Sequence, residues 1–331
     1  MKILDTYERI NREQWQNLLQ TSPTPSWFQS ADAYLFLRSI PNIVTPFVFA
    51  VEENEQLQAV VVGYITQEKT AFKQHFTQRA IIHGGILLAP ELSTYALQIL
   101  LQKLSIELKN CIYIEFRNYH DYSRYKPIFS QYHFDYHPHY DFHVSTISME
   151  KIIANLSEGR KRDINNTQRN GATIIERPTM EQVHDFYDLL QQLYQQKIKK
   201  PLFDWEFFEQ LYRQPTAAFL LVQYEKKIIG GTVCVGNTKT LYEWFVCGLD
   251  GQTKGIFPSS YATFIALQFA CKNGYECFDM MGAGVPNEAY GVRDFKARFG
   301  GKLVEYGRFI KINKWLRYQI GKIGIWCMQK L

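Results

Sequence analysis

One pattern occurs twice in this chain, and it restricts the fold more than any other feature does. In the first half, residues 47–51 and 58–66 are alternating or continuously apolar around a polar turn at 52–56, which marks a hairpin. A further strand at 80–88 leads through Pro90 into an amphipathic helix at 93–108, and a β-branched strand follows at 111–116. In the second half, 219–224 and 228–236 flank a turn at 225–227. A strand at 240–248 then leads through Pro258 into a helix at 259–272, and a strand at 276–280 closes the series. Hairpin, strand, helix, strand, repeated at similar spacing, predicts an α/β chain of two related halves, each a mixed β-sheet flanked by helices. Few letters match between the copies, so the repeat is one of pattern.

The length allows this. At 331 residues the chain exceeds the roughly 250–300 residues beyond which a single core stops growing. The expected division is 1–149 and 150–331, the second half closing on a basic helix. The net charge of +5 suits anionic partners such as nucleotide sugars, tRNA or membrane phosphates, and no duplex-DNA motif accompanies it. The 21 Tyr, 23 Phe and 6 Trp suit strand-rich cores and also grooves for extended or sugar-bearing ligands. Six cysteines form no Cys-x-x-Cys pair and several lie in apolar runs, as reduced thiols of the cytoplasm do. Residues 1–10 lack the apolar core of a secretion signal, and no stretch reaches the ~20 apolar residues of a membrane span. A cytoplasmic protein is expected.

The most informative stretch runs Phe278-Asp279-Met280-Met281-Gly282, then Gly291-Val292-Arg293-Asp294-Phe295-Lys296-Ala297-Arg298-Phe299-Gly300-Gly301. Phe295 and Phe299 are four apart, so on a helical turn they share a face and can anchor it in a core. Lys296 sits about 100° round from Phe295 and can point elsewhere. A lysine held on such a turn is suited to stabilising an oxyanion or a phosphate; alternatively it belongs to a solvated basic face with Arg293, Arg298 and Lys302.

Here the chain resembles the Fem family of peptidoglycan aminoacyltransferases, whose second domain ends in a strand, a glycine-bearing loop and a Phe-Lys-x-x-Phe-Gly element like that of residues 295–300. The basic segment 156–175 and Trp27-Phe28-Gln29-Ser30 are similar to further family features. The resemblance covers most of the chain and is strongest from Gly230 to Gly307. It implies twin acetyltransferase-like (GNAT) domains and transfer of an aminoacyl group from aminoacyl-tRNA to an amine of a cell-wall precursor, a UDP-sugar peptide or lipid-linked muropeptide. Lys296 would then be the catalytic charge stabiliser, with Arg293, Phe295, Arg298 and Phe299 toward substrate. No resident cofactor or metal is implied, and no long helical hairpin for tRNA is evident.

Two other readings stand beside it. Acyl-coenzyme A is the alternative donor, because Gln252-Thr253-Lys254-Gly255-Ile256-Phe257 imitates a Gln-x-x-Gly-x-Gly pyrophosphate loop until Phe257 replaces the small residue. A non-catalytic envelope-binding module is the other. Three further features are weighed. His83-Gly84-Gly85 reads as a plain turn, with a ligand role for His83 as its rival. The run His133, Asp135, His137, His139, Asp141, His143 places polar groups on one face of an extended strand. Pro138 breaks it, and one strand would spread those groups too widely for one ion, so an amphipathic edge strand is expected. The tail 311–331 has five basic residues, no acid, and Trp315, Leu316, Ile320, Ile323 and Trp326. It suits either packing against the body or contact with the inner face of an anionic membrane.

Overall fold

The computed structural model describes residues 1–66, 78–199 and 201–330. The chain forms two compact units, one of residues 1–139 with 305–331 and one of 140–304.

In the first unit, β2 (Val44–Glu53) and β3 (Gln56–Thr66) form the expected hairpin. β3 also pairs with β4 (Ala80–His83) and the short β5 (Leu87–Leu88). Helix α3 (Thr94–Glu107) carries the chain from β5 to β6 (Tyr113–Arg117), which lies parallel to β4. With β1 (Lys2–Leu4), β7 (Asp135–His137) and β15 (Arg308–Ile312), the sheet runs β1-β2-β3-β4-β6-β15-β7. Leu97, Leu100, Leu101 and Leu104 lie at the i, i+3, i+4, i+7 spacing that gives a helix one apolar face. They are fully buried in a core with Val51, Val61, Ile82, Ile114 and Phe116. Helices α1 (Arg12–Thr21), α2 (Ala31–Arg38), α4 (Lys126–Gln131) and α11 (Trp315–Lys330) complete the unit.

The second unit repeats the plan. β10 (Ala217–Tyr224) and β11 (Lys227–Gly236) form its hairpin, and β12 (Thr240–Gly248) joins through α9 (Pro258–Lys272) to β13 (Cys277–Asp279), which is parallel to β12. With β8 (Tyr140–Ser145), β9 (Thr173–Ile175) and β14 (Lys302–Glu305), the order is β14-β8-β13-β12-β11-β10-β9. Helices α5 (Met149–Asn155), α6 (Glu158–Arg169), α7 (Met180–Leu193), α8 (Trp205–Tyr212) and α10 (Gly291–Ala297) flank it. Each unit therefore has a parallel pair bridged by one helix. The hairpin turns agree in detail: Asn54 and Glu55 have φ of 50° and 61°, Glu225 and Lys226 have 47° and 66°. Both are two-residue turns of the kind whose left-handed residues match strand twist.

Two sequence expectations meet different structure. The division at 149/150 is not where the units part. β8 pairs with β13, so the second unit begins at Tyr140, and β15 inserts between β6 and β7, so the chain after Val304 returns to the first unit. The run 133–143 is also not one edge strand. It splits at Pro138 and His139 into β7, at the edge of the first sheet, and β8, inside the second.

Candidate functional site

Four buried ionisable side chains meet in the second unit. Asp279 ends β13 and lies in register with Tyr242 of β12 on one side and His143 of β8 on the other. Asp141 is two residues from His143, so both project from one face of β8. Glu243 follows Tyr242 on β12. Asp279, Asp141 and Glu243 are almost fully buried, and Lys296 of α10 joins them with only 7% exposure. Isolated buried carboxylates are very costly, so the cluster is held by its opposite charges and by hydrogen bonds.

Lys296 turns inward. Its Nζ donates to the carbonyls of Met280 at 2.5 Å, Met281 at 2.8 Å and Gly282 at 2.9 Å, so all three ammonium protons are engaged in fixing the loop after β13. Burial pushes the ammonium pKa down, against the pull of Asp141, Glu243 and Asp279. Burial raises Asp141 well above the usual carboxyl range, and the neighbouring Asp279 adds to the rise. Burial also pushes Glu243 up to about 7. Its Oε1 accepts from Thr263 Oγ1 at 2.7 Å and Thr232 Oγ1 at 3.4 Å, while Oε2 has no hydrogen-bond partner among the described residues. For His143, burial alone would lower the pKa, but Asp279, 3.3 Å from its Nε2, outweighs that and pushes it up to about 12. Asp141, His143 and Asp279 bring one ligand atom each within 4.8 Å of one another, a spacing that a cation would accept. The same carboxyls already share the charge of Lys296.

Arg160 of α6 locks α10 in place. Its guanidinium carbon lies 4.5 Å from the ring centres of both Phe295 and Phe299, while Nη2 donates to Phe295 O at 3.2 Å and Nη1 to Ser260 Oγ at the start of α9. Only 3% of Arg160 is exposed, and burial lowers its pKa to about 10.

The start of α9 is also closed by the protein's own groups. Phe257 N–H donates to Thr167 Oγ1 at 2.9 Å and Ser259 N–H to Asp250 Oδ1 at 3.3 Å. Pro258 occupies the first helical position, where a missing N–H costs nothing.

The first unit holds a second polar cluster. His83 Nδ1 lies 2.6 Å from Tyr119 Oη, and its ring stacks on Phe28 at 5.2 Å. Burial, assisted by Arg117, holds its pKa well below 6.5. Burial alone would raise Glu115, but Arg117 at 3.1 Å and Arg308 at 2.5 Å hold it well below the usual range. Arg308 also lies 2.9 Å from His139 Nε2.

Residues 158–296 match the acetyltransferase (GNAT) domain family. No curated protein matches in sequence. Among solved structures, the crystal structure of FemX superposes with a TM-score of 0.73 at 11% identity, covering 97% of this chain and 99% of the other. The chain has a Fem-like twin acetyltransferase fold. A tandem GNAT protein from the clavulanic acid biosynthesis pathway has the same fold (TM-score 0.60, 9% identity, 94% and 98% covered). So does L-PGS from Bacillus licheniformis (0.56, 15%, 92% and 92%).

Within this twin acetyltransferase fold the expected site residues separate. Lys296 joins the buried carboxyls, and Phe295 and Phe299 pack edge to face at 5.4 Å as its anchor. Phe299 is fully buried in the core, so in this conformation it offers no surface to a substrate. Arg293 is spent on the loop before α10: Nε donates to Ala283 O at 2.9 Å, Nη1 to Glu288 O at 3.0 Å and Nη2 to Val285 O. Arg298 is exposed and away from the buried cluster's contacts. Sequence names Asp141 and His143 only within a polar run that reads as an edge strand, and gives Glu243, Asp279 and Arg160 no role. An acid on a strand and an arginine in a basic helix both read as surface groups.

Proposed function

We propose that this chain is an N-acyltransferase of the Fem type, moving an aminoacyl group from aminoacyl-tRNA to an amine of a peptidoglycan precursor in the cytoplasm. The twin acetyltransferase fold supports acyl transfer. The choice of donor is carried by one observation: the loop and helix start that would receive a pyrophosphate are already filled. Thr167 and Asp250 accept the N–H groups of Phe257 and Ser259, and the Asp250 carboxylate repels an anion where helix N–H groups would attract one. The ring of Phe257 adds bulk at the position that sequence marked as too large. An ester donor does not need that cradle.

In the proposed reaction the acceptor nitrogen attacks the ester carbonyl, a C–N bond forms, and the C–O bond to the tRNA ribose breaks, the ribose oxygen leaving as a hydroxyl that takes up the proton the amine loses. On the way, Glu243, pushed up to about 7 and only 3% exposed, is the proposed acceptor of that proton, by relay rather than by direct contact. The fixed positive charge of Lys296 favours the negative charge that develops on the carbonyl oxygen. It does so through the field at the site, because its own protons hold the 280–282 carbonyls. Phe295 and Arg160 keep that charge stationary.

A single-turnover assay tests this, pairing charged tRNA and acyl-coenzyme A donors with UDP-sugar-peptide and lipid-linked acceptors. Product is expected from charged tRNA alone. Product from acyl-coenzyme A alone would move the chain to the coenzyme A-dependent class. No product from any pairing would favour a binding module.

A further inference from the structure

Helix α11 begins directly after β15 and is tied to the first unit on one side. Asn313 and Lys314 N–H donate to Ile112 O at 2.9 and 3.0 Å, and Asn313 Nδ2 donates to Leu108 O at 3.0 Å. Tyr318 packs edge to face on Tyr113 at 5.4 Å. Among the described residues, large apolar side chains of this helix are exposed. Trp315 is 61% exposed, Leu316 71%, Ile320 59% and Ile323 62%. Packing against the body, one of the two fates that sequence allowed, does not cover these residues. The side chains beyond Ile323, including Trp326 and Lys330, lie outside the described residues.

At about 100° per residue, these four side chains occupy a single arc of roughly 140°. Tyr318, the attaching residue, lies roughly 60° outside one edge of the arc. Lys322 lies on that same flank and Arg317 beyond the opposite edge, with Lys314 preceding the helix. No acid occurs from residue 306 to 331. Four large apolar groups in one exposed stripe cost free energy in water, since burying each would contribute. Cations along both margins of such a stripe match the phosphates of an anionic leaflet, with the apolar side chains sunk to acyl depth.

We infer that α11 lies in the plane of an anionic lipid surface, inserting Trp315, Leu316, Ile320 and Ile323 and setting Lys314, Arg317 and Lys322 against headgroup phosphates. Sixteen residues rise only about 24 Å against a hydrocarbon core of roughly 30 Å, and no described helix is long and apolar enough to cross. A second copy is the poorer occupant, because two such helices face to face would press like charges together. The inference stands on this helix alone and does not depend on the acyl donor.

The test is co-sedimentation of the full chain with vesicles of phosphatidylglycerol and phosphatidylcholine, or of phosphatidylcholine alone. The wild-type chain is expected to bind the anionic vesicles at least tenfold more tightly, and less so as salt rises. Leu316→Asp with Ile320→Asp should lose at least tenfold, and Lys314→Gln with Lys322→Gln should lose the preference for anionic lipid. The four positions lie at or just before the first half of this helix, and unchanged thermal unfolding of the variants serves as the folding control. Equal pelleting of wild type and the aspartate variant, or equal binding to both vesicle types, would overturn the inference. So would dimerisation abolished by the aspartate pair in a chain that ignores vesicles.

Discussion

At the scale of single residues, Glu243 has the most testable chemistry. Its carboxyl titrates near 7 in the fold, above the 4.5 of a free side chain. Between those values the folded chain holds a proton that the unfolded chain has released, so this group's contribution to stability falls as pH rises from about 4.5 to 7 and stays lost above. Glu243→Gln removes that dependence. In thermal melts the variant should gain on wild type from pH 5 to pH 8, by a few kcal/mol at most, and a constant difference would refute the assignment. If Glu243 is also the proton acceptor, the acidic limb of kcat/KM near pH 7 disappears in the variant. Part of this site was legible beforehand. Phe295, Lys296 and Phe299 announced themselves by spacing, because two rings four apart around a lysine form a recognisable turn. Asp141 was visible only as part of a polar run, and its meeting with Glu243 and Asp279 was not, since they come from three different strands that only the fold brings together. Arg160 was hidden among Lys161, Arg162 and Arg169, which share its charge but not its burial.

At the scale of elements, the short helix α10 depends on how its end is seated. Gly300 follows it with φ +76°, and a Cβ there would lie 2.2 Å from Asn155 O of α5. Gly171, after α6, has a similar φ of +89° but open space around it. The comparison separates strain from collision. Gly171→Ala should cost about 1–2 kcal/mol for the left-handed backbone alone. Gly300→Ala should cost about 1–3 kcal/mol more, because backbone must also move. Urea unfolding of both variants decides this, and equal losses would mean that Asn155 yields freely. Hairpins, crossover helices and their following strands were all legible, because periods of 2 and 3.6 in apolar residues survive in any context. The turns were located but not typed. Asn54-Glu55 and Glu225-Lys226 carry no glycine, and the left-handed conformation is imposed by the strands on either side.

At the scale of the molecule, the chain order and the unit order differ. β15 sits between β6 and the edge strand β7 of the first sheet, with Phe309 stacked on Phe129 at 3.9 Å and Asn313 bonded to the end of α3. Residues 140–304 expressed alone are therefore expected to fold and melt cooperatively, whereas 1–139 should not until a peptide of 305–313 is added. Circular dichroism of the three samples measures this, and a cooperative melt of 1–139 alone would contradict it. Local periodicity could not reveal the arrangement. Residues 308–312 do not read as a strand in the sequence, 311 onward falling with the basic tail, and nothing in them names a partner nearly two hundred positions earlier.

That long return has a bearing on synthesis. As the nascent chain leaves the ribosome, its leading segment emerges with a gap in its sheet, while the middle segment receives every strand it needs. The part made first is thus the part completed last, and until the closing strand arrives its open sheet edges are exposed to other chains.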